Sequence, residues 1–493
     1  MTSTLKRPWE DDETTEGNIN QHSRKRRING DLSILPLLKS STSSPPSFQQ
    51  PSQLLSFSNI SVPCNVGRSE TDKDNLRERR VEWSNASMKY YISPPLGANL
   101  AYGYKRWIRK PEGRERLDTL LQACSRLDLD AGSECRTRIQ AERQRADVIT
   151  WRGIGTKLLI APYEGRDSWE LNVMQVDGTI YLEEHSNDDI IDAKYEKALL
   201  SWVYTDTDER RRMSAKQQLM MYYGYAFESY CTTHLPPNHR KQVPAHRSSE
   251  GWGDEAVDTH VQWCSVVKTK LGDHRLILGD KYTGQPDTFV ELKTSISIRP
   301  GNRGDESNFE RKLLKFYFQS FLLGVPEIVV GFRSPNGYIQ NVQTFRTLDL
   351  PRIVRGKPNA WNPSLCLTWG ESVITFLKRE IRTYRDNIRT QLPKVPNSET
   401  GDSEGIVWRL TFTPGVNLSL RVLDQKEAKE VVNDEDRVGF LPRWYWDHLK
   451  DARELPERAV PTNSQARANL QQADATAHSS SSSSRISAIG WTV

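Results

Sequence analysis

Apolar and polar positions along the middle of the chain follow two periods. Alternation over residues 170–175 and 179–183, with Asp177-Gly178 between them, predicts a β-hairpin, because that dipeptide readily takes the positive φ angles of a two-residue turn. Residues 262–268 and 275–278 predict a second hairpin, turning at Leu271-Gly272-Asp273. Residues 157–161 read as a further strand. Helical spacing of apolar positions runs over residues 214–230, 309–323 and 371–384. A strand over 288–294, the helix from Phe309 and a strand over 327–332 then compose a strand–helix–strand unit. Residues 1–78 show no sustained apolar period and mix charge with Ser, Pro and Gln, so they are expected to form a disordered tail. The same holds from about residue 451, where the run Ser479 to Ser484 lies. The intervening residues 79–450 are expected to form one large α+β domain.

Composition narrows the partners. A length of 493 residues admits two or three average domains, or one large domain with tails. Hydrophobic residues at 36% and a mean hydropathy of −0.68 are polar for a fully globular chain, which agrees with unstructured segments around an ordinary core. The 14 Trp and 17 Tyr point to an aromatic-rich core or a stacking surface. A net charge of +5 permits a polyanionic partner without demanding one. The six cysteines, Cys64, Cys124, Cys135, Cys231, Cys264 and Cys366, form no CxxC pair, so neither a zinc site nor a disulfide framework is signalled and a reducing compartment fits. No signal-peptide pattern opens the chain, and its most apolar stretch, 321–332, is broken by Pro326 and Glu327. That is far short of the roughly 20 apolar residues of a membrane span, so a soluble intracellular protein with no membrane partner is expected. Arg24-Lys25-Arg26-Arg27 is a basic cluster of nuclear-import type, which makes the nucleus the expected location.

Four local patterns carry candidate chemistry. In Val290-Glu291-Leu292-Lys293-Thr294, strand alternation puts Glu291 and Lys293 on one face with Phe289, and Val290, Leu292 and Thr294 on the other. A metal-dependent phosphodiesterase needs such a pair, the carboxylate to hold a divalent cation and the lysine to steady phosphate or orient the attacking water. Taken singly, it is also an ordinary ion pair on an exposed strand. Tyr223-Gly224-Tyr225-Ala226-Phe227-Glu228 ends a helical stretch and offers Glu228 as a second metal ligand, or as a plain surface glutamate. Trp151-Arg152-Gly153 sets an aromatic face beside a guanidinium, which suits a base and its phosphates as well as it suits a half-buried Trp beside a solvated Arg. Finally, Lys312, Lys315, Phe316 and Gln319 share one side of a helix, which could face a polyanion or water.

In order, these patterns resemble the DXO-type RNA decapping nucleases. The likeness runs through Trp151-Arg152-Gly153, Pro162-Tyr163-Glu164, Gly178-Thr179-Ile180-Tyr181-Leu182, Gly224-Tyr225-Ala226-Phe227-Glu228 and Cys264-Ser265-Val266-Val267. It continues through Val290-Glu291-Leu292-Lys293-Thr294-Ser295, Lys312-Leu313-Leu314-Lys315, Val325-Pro326, Gly331-Phe332-Arg333 and Trp361-Asn362-Pro363-Ser364, and closes at Phe440-Leu441-Pro442-Arg443-Trp444-Tyr445. It spans about residues 81–448 and is nearest to the fungal nuclear form that partners the nuclear 5′–3′ exoribonuclease. The resemblance implies two mixed β-sheets flanked by helices and enclosing an active-site pocket. It implies a decapping nuclease or pyrophosphohydrolase, using Mg²⁺ or Mn²⁺ on incompletely capped, triphosphorylated or NAD-capped RNA 5′ ends. Matched by motif, Glu228 and Glu291 would be metal ligands, with the backbone carbonyl of Leu292. Glu291 and Lys293 would be catalytic. Glu115, Trp151, Arg152, Gly153, Cys264, Lys293 and Gln319 would contact substrate. RNA 5′ ends and the exoribonuclease would be the partners.

One motif departs from the family. Its members carry a Gly-Glu-Val-Asp sequence after the second hairpin, supplying two metal-binding carboxylates. Here the stretch reads Leu278-Gly279-Asp280-Lys281-Tyr282-Thr283-Gly284, with Lys281 and Thr283 at the acidic positions in an ungapped register. Either the motif has been replaced or a segment carrying it is absent. Asp280 lies one position early and would point to the opposite strand face unless a bulge turned it inward. Asp287 shares the face of Glu291 but sits roughly 13 Å along the strand, too far to share an ion. Ala226, where the family has lysine, removes a further charge. The departure keeps two other readings open. One is a catalytically weakened member that binds RNA ends or activates the exoribonuclease. The other is a generic PD-(D/E)xK DNA nuclease, spelled literally by Pro286-Asp287, Glu291 and Lys293.

Overall fold

Both hairpins read from the alternation are present in the computed structural model, which describes residues 32–40, 44–61, 79–83, 87–110, 116–126, 146–185, 208–235, 256–281, 284–285, 288–391, 405–433 and 435–454. Trp169–Val176 pairs with Thr179–Glu184 through a turn in which Asp177 and Gly178 have φ of 50° and 85°, the mirror-image geometry a twisted hairpin requires. Val261–Leu271 pairs with His274–Lys281 across Gly272-Asp273. The strand Val148–Trp151 lies between the two hairpins and runs parallel to a neighbour from each. These strands are the middle of a ten-stranded mixed sheet, ordered Ser33–Pro36, Asn417–Val422, Trp408–Thr413, Trp169–Val176, Thr179–Glu184, Val148–Trp151, His274–Lys281, Val261–Leu271, Phe48–Ser61, Arg79–Glu82.

A second mixed sheet has the order Gly284–Gln285, Thr288–Ile296, Glu327–Arg333, Ile339–Arg346. Its two middle strands are parallel, joined by the helix Arg303–Phe321 as expected. That helix begins cleanly because the Asn302 side chain accepts the Asp305 N–H at 3.1 Å. It buries Phe309, Leu313, Phe316 and Phe318 in one core with Ile328, Val330 and Phe332. The other sheet face, with Leu292 and Val329, packs against Tyr223 and Phe227 of the helix Asp208–Tyr230. Strand alternation therefore does what the sequence implied, sending Leu292 toward one helix and Glu291 toward the other face. The main core draws on both sheets and on the helix Pro363–Gln391, so the α+β architecture with two mixed sheets holds. Two further two-stranded sheets complete the described strands.

Two expectations need correction. Residues 157–161 are not a strand but the end of the helix Arg152–Ile160, followed by one 3-10 turn. A short apolar run such as Leu158-Leu159-Ile160 carries no usable period, and here burial of Ile154, Leu158 and Leu159 on one helical face decides. Nor is the whole of 1–78 a tail. Ser33–Pro36 and Phe48–Ser61 are strands of the large sheet, and Phe48 packs on Phe321 with ring centroids 4.3 Å apart. Pro51 falls at a register shift between Gln49 and Ser52, where its missing N–H costs no ladder bond. Two such irregularities within 14 residues hid the alternation.

Candidate active site

The site forms where the two sheets approach. Trp151 and Gly279 are paired on parallel strands, so Arg152 and Asp280, the next residues, leave the sheet side by side. Gly279 permits this: a Cβ there would lie 2.7 Å from the Trp151 ring. Arg152 Nη2 then meets Asp280 Oδ2 at 2.9 Å. Arg152 Nη1 approaches Glu291 Oε2, on the other sheet, at 3.4 Å, and donates to the Gln319 carbonyl at 3.2 Å. One guanidinium fork thus ties the large sheet, the small sheet and the helix Arg303–Phe321 together. Asp280, which the ungapped register turns away from the site, faces it.

Glu291 is buried and also accepts a hydrogen bond from Lys293. Burial alone would raise its carboxyl, but Lys293 and Arg152 together hold it below the usual range. Lys293 is poised over Phe316, its Nζ 5.7 Å from the ring centroid. Glu228 ends the helix Asp208–Tyr230, and its carboxylate has no hydrogen bond or ion pair among the described residues. The protein crowded around it and the charge of Glu291 push it up to about 7, against Lys293 and Lys89. Water still reaches its side chain, so this is the desolvation of a crowded recess rather than of a sealed core. Lys315, one helical turn before Gln319, is exposed at the rim. Burial of its stem, then the cations Lys293, Lys157 and Arg152, lower its pKa.

A cleft of about 900 Å³ lies beside this group, between the Ser295 end of the Glu291 strand, the Lys312–Lys315 side of the helix and the loops at Tyr163–Asp167 and Pro358–Trp361; Lys315 lines it, whereas Arg152, Glu228, Glu291 and Lys293 do not. Lys312 Nζ donates to Ser295 Oγ at 3.2 Å across its floor.

The other expected substrate contacts fare differently. Trp151 is half-buried, its indole N–H bonded to the Arg116 carbonyl at 3.0 Å and its ring across Gly279, so it is a packed wall rather than an open stacking face. Gly153 is exposed, with nothing within 4 Å of a Cβ position. Cys264 is fully buried in the second core cluster. Glu115, Thr283, Asp287 and the basic cluster at residues 24–27 lie outside the described residues, as does the Lys281 side chain. The sequence reading missed Ser295, two positions beyond Lys293 on the same strand face; continuing the alternation finds it.

Metal binding can be tested against these donors. Among the described residues no group of three or more His, Cys, Asp or Glu is placed to hold an ion, so there is no all-protein cradle. Glu228 and Glu291 do fit a single hard ion that arrives with phosphate oxygens and water, since magnesium commonly needs only one or two carboxylates. They do not fit an ion pair held by protein alone. Asp280 and Glu291 already share a guanidinium.

Known proteins resemble this chain in sequence and in fold. The model of the RAI1-like PD-(D/E)XK nucleases matches residues 49–446, beginning with the strand Phe48–Ser61 and not at residue 81. A decapping nuclease RAI1 from Mycosarcoma maydis is 34% identical over 482 residues, covering 83% of this chain and 89% of the relative. Among solved structures, Scheffersomyces stipitis Rai1 in complex with (3'-NADP)+ and calcium ion matches with TM-score 0.63 and 21% identity, covering 85% of this chain and 100% of that one. Candida albicans Rai1 in complex with pU5 and Mn²⁺ matches with TM-score 0.62 and 23% identity, over 85% and 99%. These two likenesses speak for the fold; the family match reconciles the literal PD-(D/E)xK spelling with the RNA-end motifs, because one family carries both. The chain belongs to the RAI1-like PD-(D/E)XK nuclease family.

Proposed function

We propose that this protein is a decapping nuclease or pyrophosphohydrolase that acts on incompletely capped, triphosphorylated or NAD-capped RNA 5′ ends. The observation that carries the reading is the Arg152 fork, which meets Asp280 and Glu291 where Lys293 also binds Glu291. Arg152 offers planar, paired donors to a phosphate, and Lys293 a point charge beside it. Glu228 and Glu291, with the Leu292 carbonyl, would hold Mg²⁺ or Mn²⁺. Such an ion would polarise a phosphoryl oxygen and lower the pKa of bound water. The family name and the ligands of the solved relatives support this reading. Nuclear location and pairing with the 5′–3′ exoribonuclease belong to the same proposal, on the strength of residues 24–27 and the motif resemblance. No described helix is long and apolar enough to cross a membrane.

One observation favours a second reading, a weakened enzyme that binds RNA ends or activates its partner. Asp280 and Glu291 are both engaged by Arg152, and the described residues assemble no full metal cradle. Both are tested by incubating the protein with capped, triphosphate and NAD-capped RNA, with Mg²⁺ and with Mn²⁺. The first reading expects metal-dependent release of the 5′ group, abolished by Glu291→Ala. Tight RNA binding with no turnover in either metal would establish the second.

A further inference from the structure

The strand Ile339–Arg346 ends the small sheet, and among the described residues only Glu327–Arg333 pairs with it along its length. A further ladder begins on its outer side and stops. Gly97 N–H donates to the Ile339 carbonyl at 2.8 Å, and Ile339 N–H donates to the Ala98 carbonyl at 2.9 Å. From residue 340 to residue 346 no described backbone covers the outer edge. Gln340, Asn341, Gln343 and Thr344 are exposed there. Native sheets commonly blunt such an edge with lysine, proline or a bulge. Here the register shift lies at the Tyr338 end, between Phe332 and Arg333 of the neighbouring strand, and residues 340–345 hold neither a charge nor a proline. The first charge is Arg346, directly opposite Glu327 of the same chain.

Exposed apolar side chains flank this edge at both ends. Leu96 and Tyr338 stand at its start, 65% and 49% exposed, and Leu348 stands just past its end at 62%. Leu96 and Leu348 are the most exposed large apolar side chains among the described residues. Gln343 lies midway between Tyr338 and Leu348. A two-fold axis normal to a sheet sets one residue of an edge strand opposite its own copy, and the start of each strand beside the end of the other. Centred on Gln343, it brings the Leu348 end of each chain to the Leu96–Tyr338 end of the other. An amide can face its own copy, because it both donates and accepts. The cross-strand pairs on either side, Asn341 with Phe345 and Val342 with Thr344, oppose no like charges. The two Arg346 side chains stay apart, their backbones roughly 20 Å from each other at about 3.3 Å per residue.

We infer that the edge Ile339–Arg346 is an interface between two copies of this chain, which pair there antiparallel and join their small sheets into one continuous sheet. The occupant is a second copy because the edge complements itself. Its uncharged middle matches its own reverse, and the apolar side chains at one end meet those at the other. A ladder of this length with two small apolar contacts gives a dimer that dissociates on dilution. The inference goes beyond the proposed function and does not depend on it, since this strand lies two strands from Glu291 and contributes no residue to the cleft.

Sedimentation velocity of the full-length protein across a dilution series tests this. The native chain should pass from one chain mass to two as its concentration rises. Gln343→Lys and Gln343→Glu each set like charges opposite one another at the axis, and each should raise the dissociation constant by about tenfold or more. An equal mixture of the two variants should regain the dimer, because the charges then oppose in sign. Leu348→Ser should weaken the dimer by a smaller factor. At low protein concentration all three variants should melt with the native chain, since Gln343 and Leu348 are exposed. A native chain that keeps one chain mass throughout would overturn the inference. So would a dimer that both charged variants leave intact, which must form elsewhere, or a mixture of the two that remains monomeric.

Discussion

Arg152–Glu291 and Arg116–Glu183 are both arginine–glutamate pairs with a buried glutamate, and their carboxyls shift in opposite directions. Glu291 is held low, because Arg152 and Lys293 both hydrogen-bond it and outweigh burial. Glu183 is pushed up to about 7, because burial outweighs Arg116 and the more distant Arg437, while Asp118 adds a like charge. Arg116 reaches only one Glu183 oxygen, at 3.4 Å, and the other makes no hydrogen bond among the described residues. Its remaining donors go to the Val431 carbonyl and to Glu435, at 3.1 and 3.2 Å. The difference is the number of cations in contact, not depth. Two direct cations keep a buried glutamate ionised, whereas one shared cation in a sealed core does not. The first arrangement can meet a phosphate; the second fastens the 116–118 segment and the 431–437 segment to the large sheet.

The largest effect that would sharpen this contrast is on stability at Arg116. Arg116→Ala takes the contact cation from buried Glu183 and the donor from the Val431 carbonyl and Glu435, and an unfolding free energy lower by about 2–3 kcal/mol is expected at neutral pH. Adding Glu183→Gln should recover part of that loss in denaturant titration. A double variant no more stable than Arg116→Ala would show that packing, not charge, dominates there.

Next in size is the pH dependence of Glu183. Its folded pKa of about 7 exceeds the ordinary 4.5, so the folded state binds this proton more tightly than the unfolded state does. The group's stabilising contribution is therefore complete below about 4.5 and is lost as pH rises through about 7. Thermal melts between those limits should show the native protein losing stability relative to Glu183→Gln, at up to about 1.4 kcal/mol per pH unit. Parallel profiles would break the comparison, since Glu183 would then be as well satisfied as Glu291.

The smallest effect expected is from Arg152→Lys. The charge persists, but the fork that reaches Asp280, Glu291 and the Gln319 carbonyl does not. Affinity for a 5′-triphosphate RNA should fall by about tenfold, the cost of exchanging paired planar donors for a point charge. An unchanged affinity would mean that Arg152 only braces the two sheets.

Some of this was legible without coordinates. The Asp177-Gly178 turn, the strand–helix–strand unit and the shared face of Glu291 and Lys293 follow from local sterics and a period of two, which tertiary packing had no reason to override. The ordered motifs likewise carried the family, because side-chain chemistry in sequence order survives in the chain itself.

Other features depended on what lies across the fold. Leu158-Leu159-Ile160 became helix because two other helices and a strand face it, and Phe48–Ser61 became strand because Val261–Leu271 offered an edge. Asp280 faces Arg152 because two parallel strands end in register and Gly279 lets Trp151 lie between them, a relation between residues 128 positions apart. Alternation along one strand tells which residues share a face. It does not tell which charge waits opposite, since pKa and site chemistry depend on distances that only the packed sheets and helices set.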